Sequence, residues 1–567
     1  MHSSFSIKRW QQRGEQLTSI RHDIICVFRV VNYPQMETVP LSGLNPATSP
    51  LKGDPGPHLT AKLDRLAPSL LSLVIMYCLI KGIAEAASTA FWGDEIFTVI
   101  LARQHQASVL WNALERGADG QPPLFYVIEH IFLKLLPNPH IALRLPSIVA
   151  FCFTLALVYA FVRKRASGSQ ALVCAVFLLH SSLYSTYVID ARPYCMVAAA
   201  FAAAMVCYQR APGLRWTGLL FLSLALAVCL HYYAVFALGA FAAAEAIYFL
   251  TKHKLRAGVW LAIFCSGLPL IAFWPLLRGQ RSVLGEHFWA HPKLSAALAT
   301  YGDFFQLPVS LGIGFAALLA LNLVGGDWEH LVRAIGAGTP KENHLPEDVL
   351  LLALLGMPFV VFVISRLAHG AYVDRYVLWV TLAMTILLGY SLSRMRWKSQ
   401  IALMVCLLAA VCVREAYSTY SLRGRVGKIV SPAASVEELI RSADNTELPV
   451  VLWADYFEIS YYASPELAKR LVTVVDPKNA VAYIGTDTVD KLYNLMADYS
   501  SAKVCDFKPF AAAHPAFLLY STSFSETQGS TLFYDWWVPR LLKDGYTLRT
   551  VAAEGNRRVY LVRAPSP

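Results

Sequence analysis

Charged residues are scarce in this 567-residue chain. Asp, Glu, Lys and Arg make up 15% of it, against roughly 25% in soluble domains. Hydrophobic residues make up 56%, and the mean hydropathy is +0.45. This composition predicts a polytopic membrane protein. The formal net charge of +11 does not indicate a nucleic-acid partner, because the basic residues lie in short clusters between apolar runs.

Nucleotide-binding and hydrolase motifs are absent from the sequence as well. It contains no P-loop, no GxGxxG after a strand, no HExxH and no GxSxG in a usable context, so ATP-driven transport and hydrolysis lack their usual parts. The eleven cysteines show neither metal-ligand spacing nor a disulfide framework, and most lie in or beside apolar segments. We expect them to be small buried side chains.

Long apolar runs are abundant. A helix needs about 20 residues to cross the hydrocarbon core, and we predict eleven such helices, over residues 68–90, 141–162, 169–188, 193–209, 216–232, 233–250, 257–277, 306–324, 348–367, 376–393 and 400–417. Residues 1–65 are polar and punctuated by Pro and Gly. They predict a disordered cytoplasmic tail ahead of a membrane domain of residues 66–420.

Positive charge between the runs sets the predicted orientation. With eleven spans and the N-terminus inside, the basic loops, among them 163–165 and 394–398, all face the cytoplasm. The run 124–136 is too short to cross and has apolar residues at helical spacing, so we predict an interfacial amphipathic helix.

The odd number of spans places residues 425–567 on the outer side of the membrane. Short β-rich runs in this region (PVVLWA, RLVTVV, AFLLY, RRVYLV) alternate with helical stretches such as SVEELIRS and WWVPRLLKDG. We therefore predict a polytopic α-helical membrane protein with an extracytoplasmic C-terminal α/β domain.

This topology collects unusual polar residues on the outer face. Asp94 and Glu95 open a long outer loop of residues 91–140. The same face receives QPPLFY (121–126), DARPY (190–194), HYY (231–233) and YVDRY (372–376). Acids at a membrane edge are costly unless they face water, a cation or a substrate. Arginine suits phosphate, and a carboxylate suits a general base, so the convergence predicts a site for an anionic lipid headgroup.

Several of these residues have structural alternatives. Asp94 could cap the end of the first span. Glu95 follows it directly and does not share its helix face, so it could only orient a partner or bind a cation. Arg192 and Arg375 could be interfacial arginines.

Five other polar or aromatic positions have such alternatives. His231 and Tyr232 fit an aromatic belt at the membrane interface as well as a site. Arg144, at the start of a span, is expected to be an interfacial anchor. Lys81 and Glu85, at i and i+4 inside the first span, are expected to form a structural ion pair.

Taken in order, the motifs resemble a known enzyme family. The Asp94-Glu95 pair, QPPLFY, RLPS (144–147) and DARPY are similar to the GT-C membrane glycosyltransferases. Within these the chain is most similar to the protein O-mannosyltransferase and aminoarabinose transferase group, in its bacterial branch that modifies lipopolysaccharide cores. The resemblance covers about 85–395. It implies inverting transfer of a sugar from a polyprenyl-phosphate carrier to a glycolipid, polysaccharide or similar acceptor at the outer face of the membrane. The outward-facing site suggests a prokaryotic plasma (inner) membrane, and an endoplasmic reticulum membrane with the same topology stays open.

The resemblance also implies residue roles. Asp94 is the expected catalytic base, and substrate contacts are expected from Glu95, Gln121, Arg192, Tyr194, His231, Tyr232, Arg375 and Tyr376. Aminoarabinose transferases usually carry Lys before the paired prolines where this chain has Gln121, which puts the phosphate contact there in doubt. The expected partners are the lipid-linked donor, the acceptor and membrane lipids. No cofactor is required by the spacing, and a divalent cation beside Asp94 and Glu95 is left open.

Two other classes of function stay open at this point. A transporter or flippase of lipid-linked sugars has a similar number of spans, but it is expected to place ionisable groups near the bilayer midplane, with broken helices and repeated halves. A non-catalytic membrane protein whose outer domain binds a partner is the other alternative. The concentration of polar groups at one face, without an internal repeat, favours the enzyme.

Overall fold

The computed structural model describes residues 56–285, 287–336, 344–368, 370–443, 447–522 and 536–565. Residues 1–55 of the predicted tail lie outside the described residues. The first helix already begins at Gly56, inside the range predicted to be disordered. The boundary at residue 65 is therefore too late.

Helices make up the chain up to Arg423. In chain order they are Gly56–Ser88, Gly93–Ala102, Ala107–Glu115, Pro123–Leu135, Pro139–Ala142, Leu145–Val162, Gly168–Phe177, Ser182–Ser185, Tyr194–Arg210, Leu214–Leu230, Ala234–Lys252, Ala257–Cys265, Pro269–Ala272, Trp274–Leu284, Leu294–Asp303, Val309–Gly336, Leu345–Leu367, Val380–Arg394 and Trp397–Arg423, with 3-10 turns at Leu178–His180 and Asp374–Val377. Each of the eleven predicted runs contains a helix.

Five of the described helices are long and apolar enough to cross a membrane. They are Ala61–Ser88, Pro139–Val162, Ala234–Lys252, Leu345–Leu367 and Trp397–Arg423. A pair bent by 60°, Ala257–Ala272 with Trp274–Val283, passes the same test as a sixth. The chain is thus a multi-pass membrane protein. The count of eleven crossings stays a prediction, because the other apolar helices are shorter than a full span.

The predicted amphipathic helix is present as Pro123–Leu135, with Pro123 in its first turn, where a missing N–H costs nothing. Its apolar residues Ile131 and Leu135 are exposed on the protein surface. The opposite side of the helix is buried and carries Glu129. The helix therefore turns an acid toward the protein interior and a hydrophobic stripe outward.

The C-terminal region contains a six-stranded mixed sheet. The strands are β1 (Val450–Val451), β2 (Leu471–Val475), β3 (Val504–Asp506), β4 (Ala516–Thr522), β5 (Thr547–Glu554) and β6 (Arg557–Arg563), in the order β3-β2-β1-β4-β6-β5. The first four strands of that order are parallel, and β6 and β5 add antiparallel pairs at one edge. The helices are Pro432–Ser442, Tyr456–Tyr462, Pro465–Arg470, Pro477–Ile484, Thr488–Ala497, Phe507–Ala513 and Trp537–Lys543.

The four predicted β-rich runs are β1, β2, β4 and β6, while β3 and β5 were not foreseen. The inner parallel strands β1 and β2 are buried on both faces, and so is the middle of β4, whereas β3 at the sheet edge is partly exposed. Val450 and Leu518 belong to the same hydrophobic cluster as the membrane helices, whereas Val451 and Leu519 pack in a second cluster with Trp536. One face of the sheet thus shares a core with the rest of the molecule.

A buried ion-pair cluster joins the first membrane helix to the last. Lys81 Nζ lies 2.8 Å from a carboxylate oxygen of Glu415 and 3.5 Å from one of Glu85. The predicted Lys81–Glu85 pair is therefore confirmed and extended by Glu415, which belongs to Trp397–Arg423. Charges buried among apolar helices need partners of this kind.

We expect Lys81→Met to destabilise the protein by about 3–5 kcal/mol, because it leaves two buried carboxyl groups without their cation. Thermal unfolding in lipid nanodiscs measures the effect. Lys428→Met, at an exposed position, is the matched control and should leave stability near wild type. Equal stability of the two variants would contradict a role for this cluster.

Candidate functional site

The two adjacent acids of FWGDEIF lie in the first turn of the helix Gly93–Ala102, here named the Asp94 helix. Neighbouring helical positions point in different directions. Glu95 is only 1% exposed, whereas the Asp94 side chain is 29% exposed. The sequence expectation that at most one of the two is free to do chemistry agrees with this arrangement.

Glu95 is saturated by contacts within the protein. Arg144 binds it in a bidentate manner, with Nε 2.7 Å from Oε1 and Nη2 2.6 Å from Oε2. The backbone N–H groups of Ala191 and Trp92 also donate to its two oxygens, at 2.8 and 3.2 Å. A carboxylate held in this way has little capacity left for a substrate or a cation.

Arg144 is not an interfacial anchor, and that expectation was wrong. Its side chain is 1% exposed, and its Nη atoms donate to the backbone carbonyls of Ala86, Thr89 and Ala90 at 2.7–3.0 Å. These carbonyls belong to the end of the first membrane helix and the residues after it. Arg144 therefore ties that end to the Asp94 helix through Glu95.

Arg375 faces Asp94. Its Nη2 lies 3.6 Å from Asp94 Oδ2, which is a loose contact, and its side chain is 21% exposed. Its Nε donates to no acceptor among the described residues. The Asp94–Arg375 pair is thus partly open to solvent and incompletely hydrogen-bonded.

Arg192 is neutralised by a residue that the sequence analysis did not single out. Its Nη1 and Nη2 lie 2.5 and 3.0 Å from the two oxygens of Asp119. Both side chains are buried, so Arg192 is not a snorkelling arginine. Burial alone raises the pKa of Asp119, but the Arg192 guanidinium outweighs it and holds that pKa below its ordinary value. Arg192 Nη1 also reaches the carbonyl oxygen of Asp94 at 3.4 Å.

An aromatic group lies beside Arg375. The Tyr376 ring lies 5.2 Å from the His231 ring, which in turn lies 5.8 Å from the ring of Tyr194. Tyr194 and His231 are buried and Tyr376 is half-buried, so His231 does not belong to an exposed belt. His231 Nδ1 accepts the N–H of Tyr233, which leaves Nε2 to carry the proton of the neutral ring.

Gln121 and Tyr232 are buried but incompletely hydrogen-bonded. Gln121 Oε1 and the Tyr232 hydroxyl have no hydrogen-bond partner among the described residues. Buried polar atoms without a partner are uncommon and indicate a missing ligand or water. Neither atom is therefore hydrogen-bonded to Asp94 or Arg375.

Two further buried acids lie near Glu95. The indole N–H of Trp92 donates to Asp190 at 3.1 Å, and both carboxylate oxygens of Glu129 lack a partner among the described residues. Burial, and then the nearby Glu95 carboxylate, raises the pKa of Asp190 to about 7. The same two causes raise the pKa of Glu129 well above its ordinary value. These two groups therefore hold protons more readily than solvated acids do.

The sequence analysis missed the roles of Asp119, Asp190 and Glu129. Asp119 stands two residues before QPP in the long outer loop, and Asp190 stands within DARPY. Their proximity to chosen residues was the only available signal. Glu129 broke an otherwise apolar run, and its inward orientation followed from the helical period. In the described part of the chain, no group of three or more His, Cys, Asp or Glu is placed to hold a metal ion.

Residues 120–277 match the model of the dolichyl-phosphate-mannose-protein mannosyltransferase family. The resemblance to GT-C membrane glycosyltransferases drawn from the motifs is confirmed by this match. The matched segment contains Gln121, Arg192 and His231, and it lies between Asp94 and Arg375 in the sequence. No curated protein is significantly similar in sequence to this chain.

Two solved structures are similar over most of the chain. Both are crystal structures of ArnT from Cupriavidus metallidurans. The one bound to undecaprenyl phosphate shares 13% sequence identity and a TM-score of 0.48, covering 87% of this chain and 97% of that one. The apo structure shares 12% identity and a TM-score of 0.49, covering 87% and 98%.

The adjacent acids form a matched pair for a stability test. Glu95→Gln leaves the buried charge of Arg144 without its counterion, so we expect it to lower the free energy of unfolding by about 3–5 kcal/mol. Asp94→Asn, at a partly exposed position with one loose partner, should stay close to wild type. Thermal unfolding in nanodiscs compares the two, and equal losses would refute the division of roles between them.

Asp190 predicts a pH dependence of stability. Its pKa in the folded protein is raised from 3.8 to about 7, so its contribution to stability is fully present below pH 3.8 and is lost as pH rises from 3.8 to about 7. Asp190→Asn removes this titration, and the difference in stability between variant and wild type should therefore grow in favour of the variant from pH 5 to pH 8. Asp506→Asn, at an exposed position, is the control. A difference that does not change with pH would contradict the assignment.

Proposed function

We propose that this protein is a glycosyltransferase that moves a sugar from a polyprenyl-phosphate carrier to an acceptor hydroxyl at the membrane boundary. The single observation that carries the proposal is the Asp94–Arg375 pair. A carboxylate and a guanidinium face each other at 3.6 Å, both partly exposed. Around them, Arg144 and Arg192 are buried and paired with Glu95 and Asp119. The family-model match over 120–277 supports the same class of reaction.

Asp94 is proposed as the catalytic base. The acceptor hydroxyl oxygen attacks the anomeric carbon, its proton passes to the Asp94 carboxylate, and the bond from that carbon to the phosphate oxygen breaks with inversion. A base must lie within reach of the proton it accepts. Asp94 suits this role better than Glu95, whose oxygens already accept four hydrogen bonds from Arg144, Ala191 and Trp92.

Arg375 is proposed to hold the carrier phosphate. The leaving group is a phosphate anion that needs charge stabilisation rather than protonation, and guanidinium groups bind phosphate in a bidentate geometry. Arg192 was expected to share this role, but the charge of its guanidinium is already balanced by Asp119. We therefore assign Arg192 to positioning, since it holds both Asp119 and the Asp94 carbonyl.

The buried aromatic and amide groups are proposed to contact the sugar. The rings of Tyr194, His231 and Tyr376 contact one another in series beside Arg375, and aromatic faces suit the apolar faces of sugar rings. Gln121 and Tyr232 carry polar atoms without partners among the described residues, which suit hydroxyl groups. Glu95 was expected to contact the substrate, and we now assign it to positioning because its oxygens are already hydrogen-bonded within the protein.

The proposal also includes the class of acceptor, the membrane in which the protein lies and the orientation of its C-terminal region. The resemblance to the lipopolysaccharide-modifying branch favours a cell-envelope glycolipid or polysaccharide as the acceptor. The distribution of basic loops favours an inner-membrane location with the C-terminal α/β region on the extracytoplasmic side. Protease or cysteine-labelling access to that region in intact spheroplasts tests the orientation.

Turnover tests the function. Wild type and Asp94→Asn are reconstituted in lipid with a panel of polyprenyl-phosphate sugars and candidate glycolipid acceptors, and free polyprenyl phosphate is measured. We expect turnover by wild type and a loss of about 10²–10⁴ in rate for the variant.

Asp506→Asn, at an exposed position, is the control and should retain the wild-type rate. Equal turnover by wild type and Asp94→Asn would move the base elsewhere. No turnover by any protein with the host's own lipids included would reject the transferase in favour of transport or binding.

A further inference from the structure

Three successive backbone N–H groups directly before Asp94 are each held by a side chain. Phe91 donates to the hydroxyl of Tyr462 at 2.7 Å, Trp92 donates to Glu95, and Gly93 donates to Oε1 of Glu458 at 2.8 Å. Two of these three acceptors come from the C-terminal α/β region, more than 360 residues away in sequence. Both lie on one helix, Tyr456–Tyr462, here named the docking helix.

Glu458 accepts a hydrogen bond at the N-terminus of the Asp94 helix, where a carboxyl oxygen is electrostatically favourable. Gly93 is the first residue of the Asp94 helix, and the first N–H groups of a helix have no partner within it and carry partial positive charge. A carboxyl oxygen at that N–H satisfies the donor and fixes the start of the helix. Asp94 is the next residue, so the hydrogen bond from the Gly93 N–H to Glu458 fixes the backbone from which the Asp94 side chain projects.

Aromatic packing holds the same two helices side by side. Phe97, one turn after Gly93, lies 5.2 Å from the ring of Phe457, edge to face, and both pack against Tyr493 at 6.4 and 4.9 Å. All three are buried. Edge-to-face pairs at these distances are attractive beyond the area they bury. The docking helix thus fixes both the end and the side of the Asp94 helix.

The contact continues along the outer loop. Gln104 donates to the backbone carbonyl of Tyr499, and Arg116 lies 2.7 Å from a carboxylate oxygen of Asp498. The hydroxyl of Tyr499 also donates to Asn112. The C-terminal region therefore follows the loop well beyond Asp94, and its attachment does not depend on Glu458 alone.

We propose that the C-terminal α/β region is a positioning element of the catalytic machinery, in which Glu458 and Tyr462 set the backbone of Phe91–Gly93 and so aim Asp94. The proposal rests on the proposed function for the role of Asp94. Glu458 is a positioning residue and not a catalytic residue, because it acts through the Gly93 N–H. Its carboxyl group need only accept a hydrogen bond, so the amide oxygen of Gln should replace it.

Hydrogen exchange tests the geometry without any substrate. In full-length protein in nanodiscs, Glu458→Ala should speed amide deuterium uptake in the peptide spanning Phe91–Phe97 by about tenfold or more, and Glu458→Gln should restore protection. Tyr462→Phe, which removes the acceptor for Phe91, should speed exchange in the same peptide. Glu466→Ala, an exposed acid beyond the docking helix, is the matched control. Unchanged exchange in both Glu458→Ala and Tyr462→Phe overturns the proposal.

Turnover in the assay described above tests the consequence. Glu458→Ala should lower kcat about 10- to 100-fold with little change in KM for the donor, because a small displacement of a reacting group costs rate more than binding. Glu458→Gln should recover most of it. A fall in kcat without faster exchange, or a rise in KM alone, overturns positioning. Inactivity of wild type would reject the proposed transferase function. Hydrogen exchange is measured without substrate, so it would still show whether Glu458 and Tyr462 hold the backbone of Phe91–Gly93.

Discussion

The buried pair of Glu95 and Arg144 determines the direction in which Asp94 can point. Arg144 donates hydrogen bonds to three carbonyl oxygens at the end of the first membrane helix. It also donates from Nε and Nη2 to the two carboxylate oxygens of Glu95. Removing either charge would leave the other unpaired in an apolar interior, and an unpaired buried charge lowers the free energy of unfolding. Because neighbouring residues of a helix point apart, fixing Glu95 inward turns Asp94 toward Arg375.

Charge balance then distinguishes the site from its surroundings. Arg192 is paired with Asp119, Arg144 with Glu95 and Lys81 with Glu415, all in buried settings. Asp94 and Arg375 make the loosest of these contacts and are the most exposed. An incoming phosphate would meet one arginine whose charge is not strongly engaged, next to one carboxylate able to accept a proton. The surrounding pairs supply rigidity and no net charge.

Much of the architecture followed from the sequence. The apolar runs located the membrane helices, and the alternation of β-rich runs with helices located four of the six strands. The convergence of Asp94, Arg192, Arg375 and the aromatic residues followed from topology and resemblance. What the sequence could not show was how the charges pair. Arg144 was expected at an interface and Arg192 at a phosphate, because linear spacing gives no measure of which acid lies opposite each guanidinium.

The contact of the C-terminal region with the Asp94 helix could not be predicted from the sequence either. Glu458 and Tyr462 lie in a short helix with no motif of their own, and only the tertiary fold brings them to Phe91 and Gly93. The strands β3 and β5 were missed for a different reason. The first is three residues long, and the second has polar residues among its apolar ones, since it is an edge strand exposed on one side.

Affinity for the sugar-free carrier tests the central claim most directly. Native mass spectrometry of wild type, Arg375→Gln and Arg192→Gln, each titrated with a polyprenyl phosphate, compares the two arginines at equal change of charge. If Arg375 is the cation left for the phosphate, its variant should bind at least about tenfold more weakly, corresponding to about 1.4 kcal/mol of binding free energy. Arg192→Gln, whose folding is checked by thermal unfolding, should bind nearly as wild type does. Wild-type affinity in Arg375→Gln would contradict the account.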